Sequence, residues 1–144
     1  MRTLQWSKQM VIGHDVIDQD HEMLISLIGK VEEMLEGDGP VGSEHSVAYT
    51  EFLDFLAEHC AREEDLMHML PPLYQTRVVE HCQHHGTLIN LARTVGGLLV
   101  PGNDCKLALD RFQSTIIAMT RDLIMDDVEL VGFLLLERRS VEPL

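Results

Sequence analysis

The chain has 144 residues, 45% of them apolar and 24% charged, which implies one globular domain with its own core. No stretch approaches the roughly 18 consecutive apolar residues of a membrane-spanning helix, and the opening MRTLQWSKQM lacks the apolar centre of a signal peptide. The formal charge of −13 repels nucleic-acid phosphates and anionic membranes, so neither is an expected partner. Three cysteines (Cys60, Cys82 and Cys105) are too few for a disulfide framework, and a cytoplasmic protein with reduced thiols is expected.

Residues 1–17 read as an arm that carries the only tryptophan, Trp6. The loops GDGPVGS at 37–43 and GGLLVPGN at 96–103, together with Pro71-Pro72, separate four segments without internal proline. No alternation of apolar and polar residues marks a strand. Helices are expected at about 18–36, 44–70, 73–96 and 104–137, capped by Asp18, by Ser43 and by Asn103 or Asp104. Short connections between striped helices predict an all-α, up-down-up-down antiparallel four-helix bundle. The whole chain, 1–144, is then one domain, with the arm at 1–17 and the bundle at 18–137.

Each helix carries an apolar stripe at three- and four-residue steps, and polar residues interrupt it. The first runs Ile17, His21, Leu24, Ile28, Val31, Leu35. The second runs Phe52, Leu56, His59, Glu63, Leu66, Leu70. The third includes Val78, His81, His85, Leu88, Ala92 and Val95. Residues at i and i+4 share a face, so His59 with Glu63 and His81 with His85 point inward in pairs. Buried imidazoles and carboxylates without partners are costly. A metal ion compensates them together, because it accepts imidazole nitrogen and carboxylate oxygen alike.

The fourth helix has the stripe Phe112, Ile116, Met119, Leu123, Leu130, Leu134 and the acids Asp122, Asp126, Asp127 and Glu129. At about 100° per residue, Asp122 and Asp127 flank the stripe on opposite sides while Asp126 lies nearer its centre. Spacing alone does not choose between Asp126 and Asp127. The ferritin-like diiron class needs two Glu-x-x-His motifs. No glutamate here is followed three residues later by histidine, so that class is disfavoured.

In four places the sequence resembles the hemerythrins of the bacterial single-domain type. The first is Trp6, Gly13 and IDQDHEML at 17–24, against the family's Trp…Gly…I-D-x-Q-H-x-x-L. HCAREEDLM at 59–67 is similar to H-F-x-x-E-E-x-x-M, with Cys60 as the exception. HCQHH at 81–85 is similar to H-x-x-x-H, and DLIMDDVELVGFL at 122–134 to H-I-x-x-x-D with an apolar end. The resemblance implies two iron ions in the bundle core, a non-haem diiron site with an oxo or hydroxo bridge. One iron would take His21 and His59 and keep an open position for dioxygen. The other would take His81, His85 and a third histidine, and Glu63 and Asp127 would bridge the two. The resemblance thus favours Asp127 over Asp126.

Three positions depart from the family. The third histidine falls on Asp122, the bulky tryptophan of the ligand pocket falls on Ala118, and the glutamine before the first histidine is Asp20. Asp122 is retained as an expected metal ligand, and Ala118 with Met119 as the expected pocket wall. An added anion favours the higher metal charge. The expected function is therefore a sensory domain that binds dioxygen or another small diatomic such as nitric oxide. A signalling domain is expected to be attached or docked at the C-terminal LERRSVEPL. Oxygen storage or transport is the alternative. An oxidase or peroxidase ranks below both, because no acid–base pair outside the metal site is evident.

Overall fold

The computed structural model describes residues 2–37 and 39–141, except for the side chains of residues 122, 123 and 139–141. Four long helices form: α1 Asp15–Leu35, α2 Ser43–His68, α3 Gln75–Gly96 and α4 Cys105–Asp122. A π-helical turn, Leu123–Asp127, joins α4 to α5, Val128–Val141, and the three together make the fourth side of the bundle. Short 3-10 turns occupy Lys8–Met10 in the arm and Pro72–Tyr74 ahead of α3. Each helix packs on the next and α4 packs back on α1, which closes an antiparallel four-helix bundle. No helix among the described residues is long and apolar enough to cross a membrane.

The helix starts differ from expectation for local reasons. α1 begins at Asp15, capped by His14, whose ring accepts from the Ile17 N–H at 3.4 Å. Asp18 is not a cap. Its carboxylate turns back and accepts from the N–H groups of Ile12, Gly13 and His14 at 2.8, 3.2 and 3.2 Å. Gly13 sits at φ +97°, a conformation that suits glycine, and this lets the arm fold onto that carboxylate. Ahead of α2 the cap is Gly42, whose N–H donates to His45 Nδ1 at 2.9 Å. At α4 the Lys106 N–H donates to Asp104 Oδ1 at 3.0 Å, which is an N-cap bond and distinguishes Asp104 from Asn103.

The core is split in two. The larger cluster holds Leu24, Phe52, Leu56, Leu88, Phe112 and Met119 among others, with Tyr49, Phe52 and Phe112 mutually 5.5 Å apart by ring centroid. Burying each such side chain contributes roughly 1.5–3 kcal/mol. The smaller cluster holds Ile17, Met67, Val78, Leu130 and Val131. Between the two, on every side of the bundle, lie buried polar residues: His21, His59 with Glu63, His81 with His85, and Asp127. The apolar clusters therefore form the floor and ceiling of one polar layer.

Candidate metal centre

All four sides of the bundle contribute to that layer. His21 comes from α1, His59 and Glu63 from α2, His81 and His85 from α3, and Asp127 from the last residue of the π turn. All six are buried. His21 Nε2 lies 2.7 Å from Asp127 Oδ2, and His81 Nε2 lies 3.0 Å from Asp127 Oδ1. His85 Nε2 lies 3.0 Å from Glu63 Oε1. His59 Nε2 lies 3.5 Å from both Glu63 Oε1 and Asp127 Oδ2.

Among the described residues two groups of four emerge, each with its ligating atoms all within 4.8 Å of one another. One is His21, His59, Glu63 and Asp127, and the other is Glu63, His81, His85 and Asp127. Both contain Glu63 and Asp127, so the two carboxylates sit between two pairs of histidines. The donor set is nitrogen and oxygen only, which suits iron, manganese or zinc. Two buried atoms of the layer, His59 Nε2 and Glu63 Oε2, have no hydrogen-bond partner among the described residues. A buried polar atom without a partner costs about 1–3 kcal/mol, and a cation placed between them would satisfy both. The six residues fit a metal site.

The electrostatics agree. Burial alone would lower the His59 imidazole, but the neighbouring carboxylates of Asp127 and Asp20 and the charge of Glu63 outweigh it and raise it to about 9. Burial also pulls His81 down, and Asp127 and Glu63 outweigh it and raise it to about 10. Burial pushes Asp127 up, yet the donors His21, His59 and His81 hold it well below the usual carboxylate range. Both rings therefore hold a proton at neutral pH, and that positive charge offsets the buried carboxylates beside them.

Around this layer the contacts are unequal. His59 Nδ1 donates to Asp20 Oδ2 at 2.9 Å, and Arg62 grips the same carboxylate through Nε and Nη2, both at 2.8 Å. His85 Nδ1 lies 3.3 Å from Glu64 Oε2. Asp126 faces away from the layer and accepts from His84 Nδ1 at 2.6 Å. No protein-family model, curated protein or solved structure matches the chain.

The remaining expected residues are spread out. Asp122 ends α4, and its side chain lies outside the described residues. Met119 is fully buried in the larger apolar cluster. Ala118 lines an open cleft of about 510 Å³ beside His84, Arg121 and Asp126. A different cavity, about 300 Å³ and mostly apolar, reaches the layer. The arm covers it, its walls include Trp6, Met10, Ile25 and Ile124, and His21 is among its lining residues. Sequence reasoning did not anticipate that cavity or the Asp20–Arg62 pair. The basic Arg62 one residue before Glu63, and the acidic Asp20 one residue before His21, were the available signals. Both Cys60 and Cys82 stay outside the ligand groups, with Cys60 in the larger cluster and Cys82 packed on the smaller.

Proposed function

We propose that this chain is a non-haem diiron domain of the hemerythrin type that binds dioxygen or a related diatomic such as nitric oxide, as an oxygen or redox sensor. The observation that carries this reading is the overlap of two four-residue ligand groups on Glu63 and Asp127. One ion needs one such group, whereas two ions held side by side need shared carboxylates. His21 and His59 would hold one iron, His81 and His85 the other, and Glu63 and Asp127 would be common to both. An iron pair supplies a reversible change of oxidation state and a coordination position for a small ligand.

The protein's own residues orient and exclude. Glu63 and Asp127 are 0% and 2% exposed, so bulk water does not compete for their oxygens, and charges in the layer act through a low dielectric. The cavity at His21 is walled by Trp6, Met10 and Ile25, which suits an uncharged ligand of few atoms and disfavours a hydrated anion. Aspartate at 122, where the family has histidine, adds negative charge to the chain at that position and favours sensing over reversible carriage. Three cysteines outside any disulfide suit the cytoplasm, and a signalling domain near the C-terminal segment is the partner such a sensor needs.

The test is to expose the reduced, iron-loaded protein to air and follow its absorbance. A sensor passes rapidly to the diferric spectrum. A long-lived visible charge-transfer band would indicate storage or transport instead. Continuous consumption of a reductant or of peroxide would indicate an oxidase or peroxidase. A spectrum unchanged from that of unbound iron would remove the diiron reading.

A further inference from the structure

Of the four histidines in the layer, His59 is held most firmly from behind. Its Nδ1–H donates to Asp20 Oδ2 at 2.9 Å, and Asp20 is only 7% exposed. Arg62 closes a two-point grip on both oxygens of that carboxylate at 2.8 Å each. The guanidinium is itself positioned, with its carbon 5.3 Å from the centroid of the Phe55 ring. Asp20 adjoins His21 on α1 and Arg62 adjoins Glu63 on α2, so the pair ties together the two helices that supply one ligand group.

A neutral imidazole carries one N–H, and a metal takes the lone pair of the other nitrogen. An anion fixed at Nδ1 therefore makes one tautomer the satisfied one: Nδ1–H toward Asp20, with the Nε2 lone pair toward Glu63 and Asp127. Arg62 keeps the carboxylate from rotating, because a planar fork matches both of its oxygens. On the opposite side of the layer, His85 has a longer contact of 3.3 Å to Glu64, whose side chain is 34% exposed.

We propose that Asp20, clamped by Arg62, is a positioning residue that orients His59 and sets the metal affinity of the His21–His59 half of the site without setting that of the His81–His85 half. The proposal rests on the reading that the layer holds two metal ions. Partners of this kind are worth ~10–100-fold in metal affinity. A purely structural tie between α1 and α2 would also weaken the His21–His59 half, but it would displace His21, the ligand that α1 supplies, as much as His59.

The experiment is a stepwise titration of the chelated protein with zinc against a competing chromophoric chelator, on the wild-type chain, Asp20→Asn and Arg62→Lys. Zinc uses the same nitrogen and oxygen ligands and has no redox chemistry. The wild-type chain should take up two ions. In Asp20→Asn one of the two steps should weaken ~10–100-fold and the other should keep its wild-type constant. Arg62→Lys keeps the charge but loses the fork, and it should weaken the same step by less. Histidine-selective 15N spectra of the zinc-loaded protein should show a proton on His59 Nδ1 and a changed signal for His59, but not for His21, His81 or His85, in either variant. Arg62 lies at the surface, so its variant keeps the proposal testable if Asp20→Asn does not fold. Both steps weakening equally, neither changing in a chain that binds two ions, or the His21 signal changing as much as that of His59, would overturn the role of Asp20. A wild-type chain that takes up no zinc or iron pair would instead overturn the metal reading beneath it.

Discussion

Asp126 and Asp127 adjoin in sequence yet serve different partners. Asp127 places one oxygen against His21 and the other against His81, while Asp126 turns outward to His84. On the proposed reading Asp127→Asn removes an anionic ligand common to two ions, so metal content after loading should fall below two per chain. Asp126→Asn should leave it at two, and elemental analysis of the desalted proteins distinguishes them. The imidazoles make a second prediction, for pH. His59 and His81 rise from 6.5 in the unfolded chain to about 9 and about 10 in the metal-free fold. Their contacts with carboxylates therefore stabilise the metal-free fold fully below about pH 6.5, and that stability is lost as pH rises through about 9 to 10. Asp127 acts in the opposite sense: its contribution is present above 3.8 and is lost as pH falls through its depressed value. Metal binding must release the ring protons, so metal affinity strengthens over the same alkaline interval. Thermal melts of the chelated protein should move downward from pH 7 to pH 10, while the gap between loaded and chelated samples widens. A gap independent of pH would mean that the two rings are not ligands.

At the level of elements, the helices were legible and their exceptions were not. Proline and glycine breaks located the four segments, and the stripe of α1 is buried from Ile17 to Leu35 as its spacing implied. Periodicity assumes 3.6 residues per turn throughout. The π turn at Leu123–Asp127 violates that by accommodating about one extra residue, which rotates everything after it. That rotation is why counting forward from Met119 set Asp126 nearer the stripe centre and left the choice between Asp126 and Asp127 open, and why Val131 is buried beside Leu130 although it lay off the expected stripe. The cap at α1 was missed for another reason: Asp18 has the composition of an N-cap, but tertiary contact with the arm claims its carboxylate. The Asp20–Arg62 grip joins two helices, and no spacing within one helix encodes it. The arm is pinned at both ends, by Arg2 and Thr3 on Glu33 and Glu32, and by Ile12 to His14 on Asp18. Asp18→Ala leaves three backbone N–H groups without their acceptor, at about 1–3 kcal/mol for each one that stays buried. Trp6, the only tryptophan, lines the cavity beneath the arm and reports on this directly. Its emission should shift to the red in Asp18→Ala, and an unshifted spectrum would show that the arm is held without that carboxylate.

For the whole molecule, the polar layer is the weak plane of the fold. It separates two apolar clusters, and without metal it contains buried polar atoms that have no partner among the described residues. A ligand that binds only the folded chain adds about 2.7 kcal/mol at a free concentration of 100 times its dissociation constant. Chelation should therefore lower the melting temperature by several degrees. Equal melting of chelated and loaded samples would place any bound metal outside the core. The high negative charge acts in the same direction, because bound divalent cations relieve part of its self-repulsion. The most direct measurement is the number of irons per folded chain after anaerobic loading with excess ferrous ion and desalting, made in parallel on a chain lacking both the Glu63 and Asp127 carboxylates. Two irons in the wild-type chain and fewer in the variant are the expected result. One iron or none in the wild-type chain, or two that survive loss of both carboxylates, would contradict a metal pair held between Glu63 and Asp127.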